Sequence, residues 1–344
     1  MNHKFLLFNL IFISLVNTVF MLPIILLLML FEKIYNYLEP NDISENTFLL
    51  KWTNSFLINI SGSLKYLYNT KLHIKNNELI DELFNSDTSN SIIVQNHLSQ
   101  FDFLSVALFL SHYNNIPSIN MKMLSYYPLY LGLPGFGMVC YLINSIMITD
   151  NKQKNIKVIE DCKINKNDWL WFYPEGNVFC KKAKDINDTY CDKNKIDTMK
   201  NCMYPRLGGV EILQKQNKVN TIYSIGTQYD NIKPCDKYHT MINCDIPKNI
   251  YIDLNKHTVT KDTISNKTVE IFKDIDTLLD KKINENEYVT EEGNSTEILC
   301  MTFHILFFML CCYMMYNHKS LFKYFIIVTV IYYIYLGLDM TILK

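Results

Sequence analysis

The stretch Ser91-Ile92-Ile93-Val94-Gln95, followed at once by Asn96-His97-Leu98-Ser99-Gln100-Phe101-Asp102 and then by the apolar run to Leu110, decides how this chain is read. A short apolar run of β-branched residues suits a strand, and the longer apolar run beyond the polar break suits a helix. Strand, loop and helix in that order put the polar segment beyond the strand's carboxyl end, where open α/β sheets hold their ligands. His97 stands in that segment.

Outward from this point the same alternation continues. Strand-type runs at Lys71–Ile74, Ser118–Met123, Trp169–Tyr173, Asn220–Gln228 and Asn249–Leu254 are interleaved with helical patterns at Phe101–His112, Asn151–Lys163, Arg206–Gln216 and Thr263–Ile283. Alternation of this kind predicts an α/β sandwich around a largely parallel sheet, within one domain over 44–297. Residues near 44 to 68 carry Leu49, Leu50, Trp52, Phe56, Leu57, Ile60, Leu64 and Leu67 at helical spacing, an amphipathic helix for a membrane surface or for the core. Lys181–Cys202 is polar and turn-like and is expected to be a surface loop.

Apolar runs flank this domain. Phe5 to Phe31 is long enough to cross a bilayer, which needs about 20 residues, and makes 1–43 an expected membrane anchor. Two other readings are a cleaved signal peptide and a pair of half-buried helices hinged at Pro23. Ile298–Tyr316 and Phe322–Leu338, separated by Asn317-His318-Lys319-Ser320, predict a transmembrane hairpin over 298–344. The expected location is an integral, multi-pass membrane protein, in the endoplasmic reticulum if the chain is eukaryotic. With 344 residues and a net charge of −1, there is no electrostatic reason for a nucleic-acid partner. The ten cysteines form no C-x-x-C pair and have no histidine at zinc spacing, so they read as reduced thiols and no metal site is expected.

Three segments carry chemistry. Histidine can accept a proton from an attacking hydroxyl, and a carboxylate on its other ring nitrogen fixes its tautomer, so His97 and Asp102 have the chemistry of a base and its orienter. Five residues along a regular helix would leave the two side chains about 140° apart, so they meet only if His97 lies in the loop. Ser99-x-x-Asp102 before an apolar run is also a capping-box pattern, and the two roles are compatible. The second segment, Trp169-Leu170-Trp171-Phe172-Tyr173-Pro174-Glu175-Gly176-Asn177, delivers a carboxylate on a tight turn at a strand's carboxyl end. In the third, Pro205-Arg206-Leu207-Gly208-Gly209 opens a helix whose free N–H groups, with the only arginine of the chain, suit an anion.

In this order the segments resemble the lysophospholipid or 1-acylglycerol-3-phosphate acyltransferase family, and within it the lysocardiolipin-acyltransferase-like branch, over roughly residues 90 to 232. Asn96 to Asp102 is similar to the first block, N-H-x-S-x-x-D. Phe172 to Asn177 is similar to F-P-E-G-T, with Tyr173 inserted and Asn177 at the threonine. Lys122 to Gly137 resembles the segment leading to the second block, and Pro205-Arg206-x-x-Gly209 the branch's P-R-x-x-G element. The usual arginine of the second block is replaced near Thr149 or Asp150; Lys122, Lys152 and Arg206 are the substitutes at hand.

The resemblance implies an acyltransferase-type α/β domain that moves an acyl group from acyl-CoA, a co-substrate and not a cofactor, to a free glycerol hydroxyl of a lysophospholipid. It implies His97 and Asp102 as the catalytic pair, and Glu175, Gly176, Arg206 and Lys122 as acceptor- or phosphate-binding residues. The alternatives are a CoA-independent transacylase or phospholipase using the same pair, and a catalytically silent membrane scaffold.

Overall fold

A computed structural model describes residues 47–112, 119–126, 145–234 and 246–317. The expected anchor over 1–43, the run Phe322–Leu338 and residues 127–137 of the second-block segment lie outside them.

Helix α1 (Thr47–Leu67) leads into β1 (Lys71–Lys75), α2 (Glu78–Asn85) and β2 (Ser91–Gln95). A 3₁₀ turn over Gln100–Asp102 opens α3 (Phe103–Leu110), followed by β3 (Asn120–Tyr126), β4 (Ile146–Ile148), α4 (Lys152–Glu160) and β5 (Asp168–Phe172). Then come α5 (Lys181–Asn194), α6 (Leu207–Asn217), β6 (Thr221–Tyr229), β7 (Asn249–Thr258), α7 (Ile264–Asp280), β8 (Val289–Glu291) and α8 (Ser295–Asn317). The strands form one eight-stranded sheet in the order β4-β3-β5-β2-β6-β7-β1-β8. Neighbours run parallel except β6 with β7 and β1 with β8.

Side-chain alternation along β2 builds the two layers. Ile92 and Val94 enter the core shared with Ile159 of α4, Val210 and Leu213 of α6 and Phe272 of α7. Ile93 enters the other, with Leu57 and Ile58 of α1, Leu83 of α2 and Phe109 of α3. Because both faces are covered, β2 and β5 are buried at every position, and β2 reads as a nearly unbroken apolar run. The pairing of Val94 with Phe172 sets the carboxyl ends of β2 and β5 side by side, so the loops after them share one edge.

One expectation changes. Lys181–Asn194 is a helix, not a loop. Its polar surface hides one local support, Lys184 paired with Asp188 one turn on, and two tertiary ones: Cys191 is buried, and the side chain of Asn187 ties to both backbone groups of Tyr204. The first apolar run of the expected hairpin lies within α8, but among the described residues no helix is long and apolar enough to cross a membrane. The start of α8 is pinned by a buried polar knot. Glu297 takes the ammonium of Lys65 at 2.9 Å and the hydroxyl of Ser61 at 2.8 Å, both from α1.

Candidate active site

The loop after β2 is held on every side. Leu98 and Phe101 sink into the core, and the side chain of Asn96 continues the sheet by accepting from the backbone N of Thr227 at 2.8 Å and donating to its carbonyl at 3.1 Å. Gln95 below it accepts from the Trp171 indole and donates to Thr227 and Ser105. His97 lies in the loop, outside any helix, so the geometric condition for meeting Asp102 is satisfied. Its Nδ1 is 2.7 Å from Asp102 Oδ2.

The capping pattern is also present, through the same oxygen. Ser99 Oγ accepts from Phe101 N, and Asp102 Oδ2 accepts from Ser99 N at 2.9 Å. The other oxygen, Oδ1, accepts from the hydroxyl of Tyr229 at 2.6 Å. Asp102 is fully buried, whereas the His97 side chain is 20% exposed. Among the described residues no group hydrogen-bonds His97 Nε2, which leaves one ring nitrogen for a proton from outside. The ring of Tyr173 covers one imidazole face, stacked at 4.1 Å and 16°.

Glu175 does a different job from the one its turn suggests. The residue is 2% exposed, and its two carboxyl oxygens accept from the backbone N of His97 at 2.8 Å and of Met203 at 3.0 Å. It braces two loops and has no face toward an acceptor. Burial pushes it up to about 8, against the pull of those two N–H donors. The His97 carbonyl in turn accepts from Phe179 N at 2.7 Å, so the histidine is fixed at both backbone atoms by the segment after β5.

Gly176 and Arg206 are brought together. Gly176 has φ +74°, a conformation that favours glycine, and a Cβ there would stand 2.8 Å from Arg206 Nε and 2.9 Å from Cζ. Arg206 N donates to the Pro174 carbonyl at 2.8 Å, and in the amide orientation that satisfies both its ends Asn177 accepts from Arg206 Nη2 at 3.2 Å. The arginine is exposed at the first end of α6, so its guanidinium lies along the turn that also carries Tyr173.

Lys122 is not brought to this edge. Its ammonium is 2.5 Å from Asp168 Oδ2 and donates to the Lys163 carbonyl at 2.7 Å. Asp168 opens β5, so the pair sits at the strand's amino end, opposite to Tyr173. A side chain pulled there by a fully buried carboxylate has no reach to a ligand over His97. Lys152 is exposed at the start of α4, and the turn before it is closed by Asn155 on both backbone groups of Thr149. Tyr229 is a site residue that sequence reasoning missed, since nothing local marks it. The one available signal is that it ends a central strand on the ligand-bearing edge.

A family model described as Acyltransferase matches residues 71–223, from β1 into β6. The chain is 23% identical over 178 residues to lysocardiolipin acyltransferase 1 of Mus musculus, covering 48% of this chain and 46% of the relative. It is 20% identical over 178 residues to lysocardiolipin acyltransferase 1 of Danio rerio, covering 49% of this chain and 45% of the relative. The matched region therefore spans a little under half the length of these relatives. The family-model match contains the His97 loop, the Glu175 turn and Arg206, so the site lies within the part of the chain that is similar to acyltransferases.

Proposed function

We propose that this protein transfers an acyl group from an acyl-CoA thioester to a free glycerol hydroxyl of a lysophospholipid. The observation that carries the reading is the imidazole of His97, bonded to a buried carboxylate through Nδ1 and, among the described residues, unengaged at Nε2, at the carboxyl edge of the sheet. On this reading Nε2 takes the proton of the hydroxyl as its oxygen attacks the thioester carbonyl. The imidazolium that forms is stabilised by Asp102. Collapse of the tetrahedral adduct breaks the C–S bond, the new ester leaves, and the proton passes from His97 to the thiolate of CoA. No acyl-enzyme is formed.

Arg206 offers the acceptor phosphate a planar, two-pronged donor, held in place against Gly176 and Asn177. A lipid acceptor also fits the surface of α8, where Leu299, Leu306, Met309 and Tyr313 are exposed, and the apolar runs of the sequence on both sides of the domain. We assign these segments to contact with the bilayer.

The test is to offer purified protein a panel of lysolipids, lysophosphatidic acid and lysocardiolipin among them, with labelled oleoyl-CoA. Label should enter diacyl product with release of one free thiol per ester. Transfer from a phospholipid without the thioester, or release of free fatty acid, would assign the same pair to a transacylase or a phospholipase instead.

A further inference from the structure

Strand β6 touches the His97 loop at two points on one face. Thr227 exchanges both backbone groups with the side chain of Asn96, and two residues on Tyr229 gives its hydroxyl to Asp102 Oδ1 at 2.6 Å. The strand is itself fixed by an antiparallel ladder with β7 that runs from Thr221 to Tyr229.

The division of labour on Asp102 is informative. Oδ2 is shared by His97 Nδ1 and Ser99 N, while Oδ1 is held by Tyr229. With Oδ2 alone engaged, the carboxylate can tilt about its own Cβ–Cγ bond and carry the imidazole with it. A second anchor on Oδ1 sets the carboxylate plane. Tyr229 is 3% exposed, so it meets no substrate. Burial, and after it the charge of Asp102, push its hydroxyl well above its usual range, which keeps it a donor. A tyrosine needed only for packing would not require its oxygen there.

We propose that Tyr229 is a positioning residue for acyl transfer, acting through Asp102 to hold the imidazole of His97 in line with the attacking hydroxyl. The inference rests on His97 as the base. Misplacement of a reacting group by about 1 Å can cost about a hundredfold, and a tilt of the carboxylate is a smaller displacement than that.

The experiment compares Tyr229→Phe, which removes one oxygen and keeps the ring, with wild type, in single form and on the Asp102→Asn background. The expected result is a fall in kcat of about tenfold with KM for lysolipid and for oleoyl-CoA within about twofold, rates being normalised to folded protein. On Asp102→Asn the same change should alter kcat less than about twofold, because residues acting as one unit do not add. An unchanged kcat in the single variant, or a full additive loss on the Asp102→Asn background, overturns the proposal. If Tyr229→Phe is not recovered folded, 3-fluorotyrosine at position 229 supplies the measurement. Its more acidic hydroxyl should move the downfield Nδ1 proton resonance of His97, and an unmoved signal overturns the proposal. If His97→Ala keeps its activity, the base assignment and this inference fall together. If His97→Ala is inactive and Tyr229→Phe keeps its kcat, only this inference falls.

Discussion

Asp102 and Asp168 are the same side chain at the same depth, both without solvent exposure, at opposite edges of paired strands. Each is surrounded by donors. Asp168 takes the ammonium of Lys122, the amide of Asn120 at 2.7 Å and the backbone N of Asn165 at 2.7 Å. Asp102 takes His97, Ser99 N and Tyr229. What differs is the cationic partner. Lys122 spends its ammonium on Asp168 and a carbonyl, so the pair is closed. Imidazole has two nitrogens, and bonding one to a carboxylate prepares the other. A buried pair can do chemistry when one member keeps an unspent site on the edge where loops open, and it is a strut when neither does.

The largest effect is expected where that unspent site is removed. His97→Ala should lower kcat at least a hundredfold while leaving the folded yield near that of wild type, because the loop keeps Leu98 and Phe101 in the core and Asn96 on Thr227. Retention of more than about a tenth of the wild-type rate in the labelled oleoyl-CoA assay would reduce the Asp102 pair to a second strut.

Next in size is Arg206. Loss of a hydrogen bond to a charged group is worth about 1.5–3 kcal/mol, so Arg206→Ala should cut kcat/KM for the lysolipid about 10- to 150-fold, with a much smaller change for acyl-CoA. Arg206→Lys keeps the charge without the fork and should fall between. Equal losses for both substrates would move Arg206 from acceptor binding to the support of the Gly176 turn.

Much of this is legible in order and composition. The strand Ser91–Gln95 is observed with the boundaries its apolar run predicts, and the largely parallel sheet follows from the alternation of strands and helices. The 140° separation on a regular helix by itself requires His97 in a loop if it is to meet Asp102, and it lies there. What composition does not carry is direction. Lys122 has the right charge, yet a strand residue's reach depends on which end of the neighbouring strand attracts it, and Asp168 lies 46 residues away in sequence. Glu175 stands at the carboxyl edge as its turn implies, but only the burial of its carboxyl reveals that it faces inward to His97 N and Met203 N. Tyr229, 127 residues from Asp102, has no local sign at all. The helix Lys181–Asn194 is hidden because polar composition reports exposure, whereas its helicity comes from the Lys184–Asp188 pair and ties to Tyr204.

Glu175 offers a smaller and more specific test, as a third buried carboxyl that holds backbone and not a cation. Its ordinary value is 4.5 and burial raises it to about 8 in the folded protein. Below pH 4.5 both states carry the proton; from there to about 8 the folded state keeps a proton that the unfolded chain has lost, so this group's stabilising contribution drains away as pH rises through that window. Glu175→Gln cannot titrate and should flatten that part of the stability profile, measured by thermal unfolding from about pH 4.5 to about pH 8. Its amide nitrogen also opposes one of the two N–H donors, which should loosen the turn and lower kcat severalfold. A variant that tracks the wild-type pH slope would show that the carboxyl stays ionised between its two N–H donors.

The smallest expected effect on rate is the one that tests the comparison itself. Lys122→Met removes the cation from Asp168 and leaves a fully buried carboxylate with Asn120 and Asn165 alone. Breaking a buried pair from one side typically costs about 3–5 kcal/mol because a buried charge is left uncompensated. Replacing both partners by well-packed apolar groups of similar volume is often close to neutral, so removing the second charge relieves most of that cost. Lys122→Met should therefore unfold at markedly lower denaturant, and Lys122→Met with Asp168→Asn should recover most of the loss. Throughout, kcat and the KM for lysolipid should stay within about twofold of wild type when normalised to folded protein, since the pair sits at the amino end of β5, away from the His97 edge. A selective rise in lysolipid KM, with stability unchanged, would return Lys122 to the acceptor phosphate and require that it leave Asp168 when substrate binds.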